Sequence, residues 1–83
     1  MSETVEKLKE LFITRLKLEI DPAEITVEKQ LFGPDGLDLD SIDVLELVVA
    51  IKKEFGVEIA DRQVAEKVFI TVGTVAQFID ENR

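Results

Sequence analysis

Apolar residues recur along this chain at steps of three and four, and alternation over the four or more residues of a half-buried strand is confined to loop-like segments. Helices are the element that such spacing can bury. From Glu3 to about Lys17, Val5, Leu8, Leu11, Phe12 and Leu16 form one stripe, while Glu6, Lys7, Lys9, Glu10 and Lys17 fall largely elsewhere. Ser41 to Phe55 reads as a second helix, with Asp40 or Ser41 as its cap and Gly56 just past its end. Asp61 to about Phe69 forms a short third helix, and Thr71 or Thr74 caps a last one carrying Val75, Phe78 and Ile79. Between the first two, Asp21-Pro22-Ala23-Glu24 has the residues for one short turn. Leu31 and Phe32 then pin a long loop to the core before the turn-forming Gly33-Pro34-Asp35-Gly36. The expected fold is all-α, a small four-helix bundle with a long first loop and a short third helix. At 83 residues and 46% apolar content, 1–83 is expected to be one domain with a thin core.

The residues that are missing narrow the chemistry. With no Cys and no His, there is no disulfide, no thiolate zinc site, no protein-borne thiol nucleophile and no imidazole base. Eighteen acidic against ten basic residues give a net charge of −8, which opposes nucleic acid and anionic membranes and favours basic protein surfaces as partners. No apolar run approaches the ~20 residues of a membrane span, and Met1 to Glu10 is too charged for a signal-peptide core. A cytoplasmic monomer is expected.

The informative stretch is the start of the second helix. Asp35, Asp38, Asp40, Asp43 and Glu46 lie there with no basic residue among them, in the field of a helix N-terminus that stabilises anions. A calcium loop does not fit, because counting from Asp35 puts Leu37 and Leu39 at ligand positions and Asp40 where the sharp turn needs Gly. No metal site is expected. On a helical wheel Val44, Leu47, Val48, Ile51 and Phe55 make the core stripe. The opposite side gathers Ile42, Asp43, Glu46, Val49, Ala50 and Lys53, apolar residues among charges, which suggests a docking face. Taken alone, Ser41 is an N-cap.

Leu39-Asp40-Ser41-Ile42-Asp43, followed by Leu45-Glu46-Leu47-Val48 and closed by Phe55-Gly56, resembles the signature of the acyl carrier proteins. Length, acidity, the Leu31-Phe32 anchor, Glu58-Ile59 and Thr71-Val72 extend that similarity over essentially the whole chain. The resemblance implies that Ser41 carries 4'-phosphopantetheine, attached from coenzyme A by a phosphopantetheinyl transferase. It implies that Asp40, Ile42, Asp43, Glu46, Val49 and Ala50 meet the basic surfaces of acyl-transferring, condensing or ligase enzymes. It further implies that Val44, Val48, Ile59, Ala65 and Val68 line a pocket for the acyl chain, although each serves equally as a core residue. The physical reading agrees, since a chain without Cys does thioester chemistry only with an imported thiol, and a phosphodiester suits a helix N-terminus. No residue of the chain is expected to be a catalyst.

Three features depart from the family's pattern. Lys52 and Lys53 stand where acids are common, Gly33-Pro34-Asp35-Gly36-Leu37 replaces a shorter approach to the motif, and Val68-Phe69-Ile70 lengthens the third-helix region. They suggest a specialised carrier in a dedicated acyl or polyketide-like pathway. An aminoacyl or peptidyl carrier is the nearest alternative, and an unmodified acidic adaptor a second. A small carboxylate enzyme built on Asp38, Asp40 and Asp43 is the weakest, lacking both His and a nearby Lys.

Overall fold

A computed structural model describes residues 3–83; residues 1–2 of the expected 1–83 domain lie outside the described residues. Four α-helices follow in order, α1 (Glu3–Leu16), α2 (Ser41–Phe55), α3 (Arg62–Val68) and α4 (Val72–Asn82). One 3-10 turn, Pro22–Glu24, interrupts the long first connection, with Asp21 as its cap. The expected all-α bundle is thus the observed one, and each helix lies within about a residue of its expected bounds.

Those bounds are set by caps. Asp61 accepts from the Val64 amide at 2.9 Å to start α3, and Thr71 and Thr74 exchange two such bonds at the start of α4. At the end of α2, Gly56 adopts φ 72°, the left-handed conformation that lets the chain leave a helix without a Cβ clash. α3 stops at Val68, so Val68-Phe69-Ile70 does not lengthen it. Phe69 is the C-cap and is buried, while Ile70 is exposed in the turn that follows.

Leu8 and Phe12 of α1 meet Leu47 and Ile51 of α2 and Val72, Val75 and Ile79 of α4 in the core. α2 enters it on an arc through Leu47, Ala50 and Ile51, whereas Val44, Val48 and Phe55 are only half-buried. The helix is therefore rotated toward Ala50 relative to the expected stripe. Ala50 is 2% exposed, which corrects its assignment to the docking face. Its methyl lies three residues after Leu47 and one before Ile51, inside the buried arc.

The long loop is stitched to the turn between α3 and α4. Leu31 donates to the Ile70 carbonyl at 3.1 Å, Val72 to Lys29 at 3.0 Å and Gly73 to Val27 at 2.8 Å, around a Gln30–Thr71 bridge. Leu39 then donates to the Leu31 carbonyl at 2.9 Å, which fixes the approach to α2. Gly36 makes this crossing possible, since a Cβ there would stand 2.2 Å from the Gln30 carbonyl oxygen. Leu31 is a core anchor as expected, joined by Ile25 and Leu39, but Phe32 is 42% exposed and lies outside the core.

Candidate functional site

Asp40 and Asp43 decide what Ser41 does. Asp40 Oδ1 accepts from the Asp43 amide at 2.9 Å, and Asp43 Oδ2 accepts from the Asp40 amide at 3.1 Å. This reciprocal box makes Asp40 the cap. Ser41 becomes the first residue of α2, exposed, with its hydroxyl relieved of the capping role. It stands beside the first amides of α2, which have no acceptor within the helix and lie at the positive end of its dipole. An anion tethered to Ser41 would meet donors there.

Ser41 also opens onto a cleft of about 960 Å³ between α2 and α3. From α2 come Ser41, Val44, Leu45 and Val48; from α3 come Arg62, Ala65 and Glu66; Ile59, Phe69 and Ile70 close the far side, and Phe32 leans in from the long loop. Val44, Val48, Ile59 and Ala65 thus line one cleft with Ser41, as four of the five pocket candidates. Val68 does not. It is buried on another side of α3, where its carbonyl accepts the Thr74 hydroxyl at 2.6 Å.

Four apolar cleft residues were not among the pocket candidates, Phe32, Leu45, Phe69 and Ile70, nor were the polar ones, Gln30, Asp61, Arg62 and Glu66. Leu45 is 66% exposed and follows Ser41 by four residues, with Val48 seven after it, so helical spacing alone places all three on one side. Phe32 and Ile70 lacked such a signal. Their positions depend on the loop crossing the α3–α4 turn, a pairing of segments forty residues apart in sequence.

Of the expected docking residues, Asp40, Ile42, Glu46 and Val49 are exposed and Asp43 partly so. Ile42 is 69% exposed, more than any other large apolar side chain among the described residues. Ala50 is the exception already noted. The carboxylates of Asp40 and Asp43 bind backbone amides at the helix start, while the acids that line the cleft are Asp61 and Glu66, on its α3 side. Among the described residues no group of three or more acids is arranged to hold a metal ion, and no helix is long and apolar enough to cross a membrane.

An accessible hydroxyl at a helix N-terminus, beside an apolar cleft, suits a covalently held phosphopantetheine in each of its parts: the phosphodiester, the linkage and an apolar cargo. Residues 6–79 match the family model described as "Phosphopantetheine attachment site". Over 67 residues, 81% of this chain and 81% of the relative, the sequence is 43% identical to the acyl carrier protein of Helicobacter acinonychis strain Sheeba. Over the same shares it is 45% identical to the acyl carrier protein of Helicobacter pylori strain G27.

Proposed function

We propose, from the premise that this chain belongs to the phosphopantetheine-attachment family of acyl carrier proteins, that Ser41 is the residue bearing its 4'-phosphopantetheine and that α2 is the face it offers to enzymes. The protein is a non-catalytic carrier whose arm is added by a phosphopantetheinyl transferase. When bound, the group supplies a terminal thiol that holds acyl chains as thioesters, a function this Cys-free chain has no side chain to perform. The observation that carries the choice of Ser41 is its release from capping by Asp40, which leaves an exposed hydroxyl on the rim of the cleft.

The roles of the surrounding residues follow from their places. Ser41 Oγ is the acceptor, and the first amides of α2 steady the charge of the linkage. Val44, Leu45, Val48, Ile59, Ala65 and Phe69 give the cleft an apolar lining, which suits an acyl chain better than an aminoacyl one. Asp40, Asp43 and Glu46 steer toward basic enzyme surfaces, and Ile42 and Val49 add short-range apolar contact. Complementary charge of this kind speeds encounter more than it strengthens the complex, as a shuttle requires. The reading takes 1–83 as one monomeric domain working in the cytoplasm, on a fatty-acid or polyketide-type pathway. Lys52 and Lys53 favour a dedicated pathway over a general one, because they restrict the enzymes that α2 suits.

Incubation with coenzyme A, Mg²⁺ and a broad-specificity phosphopantetheinyl transferase, followed by intact mass, tests the assignment. The wild type is expected to gain one phosphopantetheine and Ser41→Ala none. An unmodified, well-folded wild type would leave the acidic-adaptor reading in its place.

A further inference from the structure

The charge of α2 reverses along its length. Its start exposes the cap Asp40, then Glu46 and, in part, Asp43, while its last turn exposes Lys52 and Lys53 together with one acid, Glu54, which does not line the groove beside the lysines. Asp43 and Lys53 are ten residues apart, which is roughly 15 Å along a helix. Beside the lysines lies a second, smaller groove, lined by Val48, Val49 and Ile59 and by Lys52, Lys53 and Glu58. Lys52 is partly engaged, with its Nζ 3.8 Å from Glu58 Oε2 and both side chains mostly exposed. Lys53 has no ion pair among the described residues. Val49, in the groove lining, is 54% exposed. In a chain of net charge −8, apolar surface is here edged by two cations and one anion.

We infer that this groove receives an acidic, apolar segment of a partner protein, a carboxylate meeting Lys53 and Lys52 while a leucine-like side chain covers Val49. The inference rests on the carrier reading in that the partner is an enzyme reaching Ser41 along the same helix. An α2 that was acidic throughout would let a basic surface slide or dock in either direction. Opposite signs at its two ends set direction and register together, because a reversed partner brings like charges into contact. The partner's face is therefore bipolar, basic opposite Asp40 to Glu46 and acidic opposite Lys53, with the two centres roughly 15 Å apart.

The test uses two blocked helical peptides, identical except that leucines are flanked by glutamates in one and by lysines in the other. Each is titrated into the ¹⁵N-labelled full chain. The glutamate peptide is expected to shift the amides of Val49, Lys53, Glu58 and Ile59, and the lysine peptide those of Ile42 to Glu46. The double variant Lys52→Glu/Lys53→Glu, with the rest of its spectrum native, should bind the glutamate peptide at least tenfold more weakly. Three results would overturn the inference: no shifts from the glutamate peptide in the groove, equal occupation of the groove by both peptides, or undiminished binding by the double variant. Transferase modification of the same samples separates the two readings. An arm on Ser41 without groove binding sinks the groove alone, whereas groove binding with Ser41 unmodifiable leaves the groove and removes the carrier.

Discussion

At Asp40 and Asp43 two hydrogen bonds cross between the same pair of residues, and this small exchange gives Ser41 its availability. A serine serving as cap would spend its hydroxyl on an amide. Here it is displaced one position into the helix. Removing the cap should cost stability first: Asp40→Ala is expected to lose about 1 kcal/mol, while Asp40→Asn, which can still accept from the Asp43 amide, loses a few tenths. For a domain of this size the alanine variant should melt roughly 4–8 °C lower, as thermal unfolding followed by circular dichroism will show. Equal melting of both variants and the wild type would remove Asp40 from the capping role. The sequence left two caps open, Asp40 and Ser41; the reciprocal bonds between Asp40 and Asp43 decide for Asp40.

Among the elements, the helices were legible because each carries its own punctuation: Asp40 and Gly56 around α2, Asp61 before α3 and Thr71 before α4. Their rotation was not. A wheel orders side chains by angle without saying which arc a neighbour will meet, so Ala50 was assigned to water and Val44 and Val48 to the interior. The candidate site followed the same division. Ser41 and four of the five residues that the resemblance implied for the pocket do line the cleft, whereas Phe32 and Ile70 reach it only through long-range contacts of the loop. That loop depends on Gly36, whose missing Cβ lets two backbone strands cross. Gly36→Ala should therefore cost roughly 1–3 kcal/mol and loosen the loop, seen in denaturant midpoints and in faster amide exchange at Leu37 and Leu39. Unchanged exchange at those amides would mean the crossing is not what holds the loop.

Over the whole molecule, both ends of the described chain are tied into one cluster. Thr4, the one buried polar side chain among the described residues, donates its hydroxyl to Asp80, and Arg83 Nη1 donates back to Thr4 at 3.0 Å. The same guanidinium sits 5.6 Å from the centre of the Phe55 ring, joining α1 and α4 to the end of α2. Thr4→Val should cost about 1 kcal/mol. Combined with Arg83→Ala it should cost less than the two separate losses added, because the hydrogen bond is shared. Strict additivity in chemical denaturation would show that the cluster does not act as a unit. The net charge of −8 acts at this scale too. Glu46→Lys should slow Ser41 modification more at low than at high salt, since the field reaches ~30 Å at 0.01 M ionic strength and ~8 Å at 0.15 M. Equal slowing at both would set aside electrostatic steering.

The most direct measurement is fragmentation mass spectrometry of the chain after exposure to coenzyme A and transferase, read at the peptide that contains Ser41. A single phosphopantetheine on the Ser41 oxygen is the predicted result. Mass gained on a threonine or on Ser2, or a folded chain that gains none, would contradict the account at its centre.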